Sequence, residues 1–308
     1  MALGTFSWLP DELTMQQHIA RYFCLVLESI WICSQGLIVY SIWRHKIRFD
    51  YELTINCIIL FFDFLFCLTV FVWSIYTAVE GQSKLTCQIQ GTITLFTLSM
   101  FIFGTSLLSS YRHVKVKQFK KIPDICFVLI FIPVTILLGI LYIWAATNNW
   151  YTVTASSYCM LSPLEGTSPR VLFGLAIVMG IVCVLATIFN YSSIMHFSFS
   201  FISHYNFDQD AMQSTSNFNS AIKARNVSRS MMMFRGSCVI LLYLMTIVPQ
   251  LLTCLYSIIT LEIAPVWLQL YASSSVSVYC GVNLACMLAL NAQVRKAIKK
   301  CILYENVY

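Results

Sequence analysis

Long apolar runs, each separated from the next by a short polar segment, set the pattern of this chain. Seven of the runs are long enough to cross a bilayer, because about 20 mainly apolar residues at about 1.5 Å each span its hydrocarbon. Their approximate bounds are 22–43, 53–77, 86–111, 125–146, 170–197, 230–258 and 266–290. The pattern predicts an all-α membrane protein with a seven-transmembrane helix bundle over residues 22–290.

The third run differs sharply at its two ends. No charged residue occurs from Thr92 to Ser110, and Cys87 precedes this uncharged stretch. A basic cluster follows it, formed by Arg112, His113, Lys115 and Lys117. If the Cys87 end faces the exterior, this helix joins an outer, sensing end of the bundle to an inner, signalling end.

The basic residues indicate the orientation of the bundle. With the N-terminus outside, all of the 19 Lys and Arg residues except Arg21, Lys84 and Arg170 fall in cytoplasmic segments. Such a bias follows the positive-inside rule and predicts an extracellular N-terminal segment, 1–21, on a multi-pass protein of the plasma membrane. Residues 1–20 lack a basic start followed by an apolar run, so we expect no cleavable signal peptide.

The composition agrees with a membrane location. Hydrophobic residues make up 58% of the 308 residues and charged residues 10%, against about 25% charged in a soluble domain. The net charge of +6 comes from short clusters between apolar runs, so we expect no nucleic-acid partner.

Two cysteines are predicted to lie outside the bilayer, Cys87 at a helix end and Cys159 in the polar segment 147–169. In an oxidising exterior they would pair and hold this segment across the top of the third helix. Most of the 13 cysteines lie within apolar runs. Neither a Cys-x-x-Cys pair nor a Cys/His cluster occurs, so the sequence predicts no metal site and no cofactor.

The segment 291–308 follows the last run. Val294, Ala297, Ile298, Cys301 and Ile302 recur at three- and four-residue spacing, opposite a face of four cations. This spacing predicts a short amphipathic helix on the inner leaflet, followed by a cytoplasmic tail. Cys301 lies on its apolar edge, where palmitoylation and an unmodified thiol are both open.

Two acidic residues fall inside predicted spans, Glu28 and Asp63. An ionisable group within a membrane is costly, so it usually faces the bundle interior and marks a functional position. The alternative is a protonated carboxyl that hydrogen-bonds a neighbouring helix.

Several landmarks share one register. Arg112 lies 25 residues after Cys87, within Tyr111-Arg112-His113. This spacing is similar to that of rhodopsin-like (class A) G-protein-coupled receptors, in which a cysteine tops the third helix and the arginine of an Asp-Arg-Tyr motif ends it. Asp63 matches the second-helix aspartate of that family, and Gln35 stands where its first-helix asparagine belongs.

The resemblance continues through the later runs, to about residue 303. Pro249 matches the sixth-helix proline, and Asn283 matches the asparagine of Asn-Pro-x-x-Tyr. The resemblance implies a switch for G-protein coupling formed by Tyr111, Arg112, His113, Pro249 and Asn283. It also implies a polar network of Gln35, Asp63 and Asn283 inside the bundle.

The departures from the family concern the switch. Tyr111 replaces the aspartate and His113 the tyrosine of the third-helix motif, and the segment after Asn283 lacks the proline and tyrosine. With no acid next to Arg112, we expect the inactive state to be less tightly latched. Phe101 stands where the family's sodium pocket needs a small polar residue, so sodium binding below Asp63 is not expected.

The same register implies a ligand pocket lined by Glu28, Thr94, Leu98, Gln250, Cys254, Ser273 and Ser277. Thr94 stands where amine receptors carry an aspartate, and Ser277 where opsins carry the retinal lysine. The lining is neutral and modestly polar apart from Glu28. It therefore favours an uncharged small molecule or a lipid as the extracellular ligand.

These observations predict a receptor, rather than an enzyme, that couples an extracellular ligand to a cytosolic heterotrimeric G protein. The alternative is a membrane transporter or channel, which would favour an internal repeat or several charges near the midplane. An intramembrane metal-dependent enzyme would need clustered ligands, whereas the five histidines lie outside the predicted spans or at their ends.

Overall fold

The computed structural model describes residues 15–45, 51–79, 83–117, 125–153, 159–164, 166–209, 237, 240–241, 243–290 and 292–302. Helices form most of this part of the chain. They are α1 Met15–Arg44, α2 Tyr51–Val79, α3 Lys84–Lys117, α4 Ile125–Thr147, α5 Thr167–Gln209, α6 Tyr243–Thr260, α7 Val266–Leu290 and α8 Ala292–Ile302. The prediction of a helical fold is confirmed.

Six helices of the described part are long and apolar enough to cross a membrane. They comprise His18–Arg44, Tyr51–Thr77, Lys84–Val116, Cys126–Thr147, Thr167–Phe197 and Tyr243–Thr260. The protein is therefore a multi-pass membrane protein by length and composition. The seventh predicted span corresponds to α7, a 25-residue helix that is not among these six, so the count of seven stays a prediction.

The helix α3 is the central element of the bundle. It contacts α2, α4 and α5 along its sides, and two short strands at one end. In its most apolar part 67% of the residues are buried inside the protein, against 17% for α4. A surface of α4 rich in Ile, Leu and Trp is exposed, as expected for a helix that faces lipid.

The polar segment 147–169 contains strands that the sequence did not predict. Strand β1, Tyr151–Val153, pairs antiparallel with β2, Cys159–Leu161. The hairpin follows α4 directly, because Asn149 adopts a left-handed conformation (φ 58°) and ends the helix. The amides of Trp150 and Asn149 donate to the carbonyls of Ala145 and Ala146, as in a Schellman motif.

Helix α8 fits the predicted amphipathic pattern. Val294 and Ala297 are buried, whereas Lys296, Lys299 and Lys300 are exposed. The buried face packs on the C-terminal ends of α1 and α7, in a cluster with Ile38, Ile42 and Leu284. These ends are predicted to be cytoplasmic, so we call this end of the bundle inner and the opposite end outer. The prediction of a short helix after the seventh run is confirmed, whereas its placement on the inner leaflet stays a prediction.

Candidate functional site: the two ends of helix α3

Arg112, at the inner end of α3, is held by side chains of two other helices. Its Nε donates to Oε1 of Glu52 at 2.9 Å, and Nη2 lies 2.8 Å from the same oxygen in an ion pair. Its Nη1 donates to the hydroxyl of Tyr191 at 2.7 Å. The Arg112 side chain is 12% exposed and that of Glu52 27%. We call this group, Glu52 of α2, Arg112 of α3 and Tyr191 of α5, the arginine clasp.

The clasp corrects the expectation that no acid holds Arg112. Glu52 supplies the carboxylate from the first turn of α2, where an acid also interacts favourably with the helix dipole. The two residues are 60 positions apart in the chain, so inspection of the neighbours of Arg112 alone could not find the pair. The tyrosine at position 111 therefore does not leave Arg112 without an ionic partner.

Tyr111 itself has a different role from the acid it replaces. It is buried and packs against Tyr51 and edge-on against Phe127, with ring centroids 6.0 and 5.1 Å apart. Its hydroxyl accepts a hydrogen bond from Lys115 at 3.0 Å. Tyr111 thus packs α3 against the inner ends of α2 and α4.

The other predicted switch residues do not join the clasp. His113 Nε2 lies 3.1 Å from the hydroxyl of Ser193 on α5, and its ring packs edge-on against Phe189. Pro249 is buried within α6, where its carbonyl accepts from Thr253 at 2.9 Å. Asn283 belongs to α7, but its side chain lies outside the described part of the structure.

The predicted polar network of Gln35, Asp63 and Asn283 stays a prediction, because the side chain of Asn283 lies outside the described part of the structure. Asp63 is 1% exposed and faces a closed gap lined by Phe66, Leu98 and Phe101, which has no room for a water molecule. Phe101 thus fills the space next to Asp63, as its position in the sequence predicted. Gln35 is also 1% exposed, but neither atom of its amide has a hydrogen-bond partner among the described residues. Gln35 therefore makes no hydrogen bond with Asp63, and its contact with Asn283 stays a prediction.

Glu28 lies at a junction between α1 and α7 and is not part of the cavities that the described residues line. Its side chain is fully buried, and Oε1 accepts a hydrogen bond from Ser277 at 2.9 Å, which joins α1 to α7. Trp31 strengthens the same junction, because its Nε1 donates to the Ser277 carbonyl at 3.0 Å. Of the two sequence interpretations, a carboxyl that hydrogen-bonds a neighbouring helix fits this arrangement.

The outer end of α3 is fixed to the hairpin by a disulfide. Cys87 and Cys159 form this bond, with Cα atoms 5.3 Å apart, and both are buried. The prediction that these two cysteines pair is confirmed. Beside them, the Gln88 side chain accepts from the Tyr151 amide at 3.2 Å and donates to the Tyr151 carbonyl at 2.9 Å. The Gln88 side chain of α3 thus pairs with both backbone polar groups of Tyr151 in β1.

The Tyr151 side chain completes this junction. Its ring lies directly over Gly91, where an added Cβ would be 2.3 Å from Cδ1 of the ring. Its hydroxyl donates to the carbonyl of Tyr142 on α4 at 3.2 Å. Burial raises the pKa of this hydroxyl above its usual range, so it remains a donor at all physiological pH values.

A cavity of about 70 Å³ opens beside the hairpin, between the outer ends of α5, α6 and α7. Gln250, Cys254 and Ser273 line it, as predicted. Its other walls include Thr152 and Met160 of the two strands, Glu262 of the α6–α7 connection and Gln269 of α7. The Gln250 amide donates to the thioether of Met160 at 3.5 Å, which joins α6 to the hairpin.

The cavity includes only three of the seven residues predicted to line a ligand pocket. Thr94, Glu28 and Ser277 are not part of its lining, and Leu98 lies instead in the closed gap beside Asp63. The Thr94 hydroxyl is buried without a hydrogen-bond partner among the described residues. The acid at the cavity is Glu262, in the connection between α6 and α7. The predicted ligand pocket stays a prediction, and the cavity lies beside the hairpin and this connection.

Cys301, the predicted palmitoylation position, lies near the end of α8 and is partly exposed. Its modification stays a prediction.

Comparison with known proteins does not identify a family: no family model matches the chain, and no curated protein is significantly similar to it.

Proposed function

We propose that the protein is a seven-transmembrane receptor that activates a heterotrimeric G protein at its inner face. In this proposal α7 is the seventh span, the N-terminus is outside, and the protein acts in the plasma membrane. The arginine clasp is the observation that carries the proposal. It places a buried, ion-paired arginine at the inner end of the helix whose other end is disulfide-bonded to the outer hairpin.

The geometry supports a mechanism in which α6 moves and the clasp opens. The outer cavity is lined by α6 through Gln250, Thr253 and Cys254, directly after Pro249. Proline removes a backbone hydrogen bond inside a helix and favours bending there. A ligand that shifts the outer half of α6 would swing its inner half away from α3 and α5. Arg112, released from Glu52 and Tyr191, would then contact the G protein.

The cavity also bears on the ligand. Its lining is mainly neutral, with hydroxyl and amide groups among apolar side chains, which favours a small, largely uncharged molecule with hydrogen-bonding groups. A volume of about 70 Å³ is well below the roughly 300–1,000 Å³ of typical ligand pockets. We therefore expect ligand binding to widen the cavity. Widening would break the Gln250–Met160 hydrogen bond and so let the hairpin move away from α6.

Reconstitution tests the proposal. The full chain in lipid vesicles should accelerate guanine-nucleotide exchange on added heterotrimeric G protein. The Arg112→Ala variant should not accelerate this exchange, but it should reach the cell surface in the same amount as the unchanged protein. Arg170→Ala is the matched control, since this arginine lies at the start of α5 on the predicted outer side. Solute flux without any nucleotide exchange would favour the transporter or channel instead.

The predicted orientation has a separate test. An epitope tag before Met1 should be accessible on intact cells, and one after Tyr308 only after permeabilisation. This orientation is expected because nearly all Lys and Arg residues fall in the segments predicted to be cytoplasmic. Labelling of both tags on the same side would require an even number of spans and would exclude the receptor.

A further inference from the structure

The mouth of the outer cavity carries large apolar side chains. Val153 of β1, Leu164 beyond β2 and Ile263 of the α6–α7 connection all line the cavity. They are 39%, 40% and 69% exposed, so they lie where the cavity opens. We call these three side chains the apolar rim. Three separate parts of the chain thus bring apolar surface to one opening.

The interior behind the apolar rim contains polar groups. Ser162, Thr253 and Gln269 line the cavity and are buried. The Thr253 hydroxyl donates to the Pro249 carbonyl of its own helix at 2.9 Å, so its oxygen can still accept a hydrogen bond. The cavity therefore offers hydrogen-bonding groups inside and apolar surface at its mouth.

Gln250 can exchange its partner for a bound molecule. Its amide nitrogen donates to the thioether of Met160 at 3.5 Å. A thioether sulfur is a weak acceptor, so a carbonyl or hydroxyl oxygen would replace it favourably. The same exchange would release the hairpin from α6.

The volume of the cavity limits what can enter it. A water-sized group needs about 10–15 Å³, so a cavity of about 70 Å³ holds roughly five to seven such groups. The amide and hydroxyl head of an acyl ethanolamide, with about six heavy atoms, is of this size. The rest of a larger ligand would have to lie outside, over the apolar rim.

Immersion in the bilayer is the simplest alternative explanation for the exposed apolar side chains. Glu262, which also lines the cavity, is exposed and directly precedes Ile263. A carboxylate is costly in hydrocarbon, so the mouth of the cavity faces water or lipid headgroups rather than lipid tails. Because Glu262 is an acid, and because no Lys, Arg or His is among the described residues that line the cavity, an anionic head is disfavoured.

We propose that the outer cavity binds the head of a neutral amphiphile whose apolar tail lies across the apolar rim. The head carries a carbonyl and a hydroxyl group, of which one accepts from Gln250, and the tail is an alkyl chain. This inference rests on the proposed function in taking the cavity as the ligand site, and it adds the chemical class of the ligand.

Binding of acyl ethanolamides to the purified full chain in nanodiscs tests this inference, with empty nanodiscs as the reference. The head is kept constant while the acyl chain is lengthened from acetyl to octanoyl. Full burial of a methylene group changes affinity about fourfold, so a tail covered on one side should gain about twofold per methylene. Octanoic acid should bind about tenfold more weakly than octanoyl ethanolamide, because its carboxylate would be buried without a cation.

Three variants separate the head from the tail. The double variant Leu164→Ser/Ile263→Ser should flatten the dependence on tail length and leave the affinity for acetyl ethanolamide unchanged. Gln250→Leu should weaken binding at every tail length by the same factor, about tenfold for one hydrogen bond. Ile259→Ser is the matched control, since Ile259 is 76% exposed but does not line the cavity, and it should have no effect.

An affinity that does not depend on tail length, or the same dependence in the double rim variant, would overturn the inference. An equal loss in Ile259→Ser would also overturn it, because the tail would then lie in the bilayer. Binding is measured without a G protein. Binding without any nucleotide exchange would therefore count against the proposed function alone, whereas exchange without amphiphile binding would count against this inference alone.

Discussion

The replacement Glu52→Gln tests the arginine clasp directly. Glutamine has nearly the same shape and keeps one acceptor oxygen, so the change mainly removes the negative charge that is paired with the Arg112 guanidinium. Exposed ion pairs contribute about 0.2–1 kcal/mol, and hydrogen bonds to charged groups about 1.5–3 kcal/mol. The Arg112 and Glu52 side chains are 12% and 27% exposed, so their pair lies between an exposed ion pair and a buried charged hydrogen bond. We therefore expect Glu52→Gln to lower the free energy of unfolding by about 1–2 kcal/mol.

Thermal unfolding followed with a thiol-reactive dye measures this loss. Unfolding exposes the buried free cysteines, which include Cys67, Cys183, Cys254 and Cys280. In domains of about 150–250 residues, 1 kcal/mol corresponds to roughly 2–4 °C in Tm. Glu52→Gln should therefore lower Tm by a few degrees. Glu262→Gln, an exposed acid at the outer cavity, is the matched control and should leave Tm nearly unchanged.

A double-mutant cycle distinguishes a clasp from two independent contacts. Tyr191→Phe removes one hydrogen bond to Arg112 and should cost about 1 kcal/mol. Glu52 and Tyr191 bind the same guanidinium, so their effects on the free energy of unfolding should not be additive. The loss in the double variant should differ from the sum of the two single losses by at least about 0.5 kcal/mol. Strict additivity, or an unchanged Tm in Glu52→Gln, would refute the clasp.

The proposed function adds a second measurement on the same variant. If closing of the clasp opposes activation, a loss of about 1–2 kcal/mol should raise basal nucleotide exchange by up to about 5- to 30-fold. A lower Tm without any rise in basal exchange would leave the clasp as a structural contact only. Tyr111→Asp, in contrast, should not restrain Arg112 further, because Tyr111 points into an aromatic cluster with Tyr51 and Phe127.

Three further variants test the outer end and the core. Cys87→Ser should lower stability by about 2–4 kcal/mol, seen as reduced Tm and surface expression, whereas Cys33→Ser, an exposed free cysteine, should not. Gly91→Ala should cost about 1–3 kcal/mol in the unfolding assay because its Cβ would meet the Tyr151 ring at 2.3 Å, and combination with Tyr151→Ala should remove most of this cost. Gln35→Met should raise Tm, because it replaces a buried amide without a partner among the described residues by an apolar side chain of similar size. A lower Tm in Gln35→Met would show that the amide is satisfied in the folded protein.

The parts of the structure that depend on local periodicity could be predicted from the sequence. The apolar runs predicted the positions of the helices, because each segment that crosses lipid must be long, apolar and helical. The spacing of Val294, Ala297 and Ile298 gave α8 and its buried face. Cys87 and Cys159 could be paired because only two cysteines were placed in the outer polar segments.

The contacts that depend on the rotation and tilt of whole helices could not be predicted. Glu52 is near Arg112 only because the inner ends of α2 and α3 pack together. The hairpin strands have three residues each, too few for an alternating pattern to be visible. A signal for the clasp was nevertheless present, since Glu52 is an acid directly after a basic loop that favours a cytoplasmic location.

The distribution of polar contacts along α3 indicates which helix is free to move. The hairpin is bonded to its outer end, α4 to its middle through the 2.7 Å hydrogen bond of Ser99 and Tyr142, and α5 near its inner end through Asn190. These contacts are directional, so a displacement of α4 or α5 along α3 breaks hydrogen bonds in an apolar medium. Helix α6 instead packs into the core cluster through Ile247 and Tyr243, against residues of α3 that include Phe101 and Leu108. Apolar side chains can slide and repack at lower cost than hydrogen bonds can be broken in lipid. In the proposed mechanism, α6 is therefore the element that moves relative to α3, and this motion breaks the Gln250–Met160 hydrogen bond rather than polar contacts with α3.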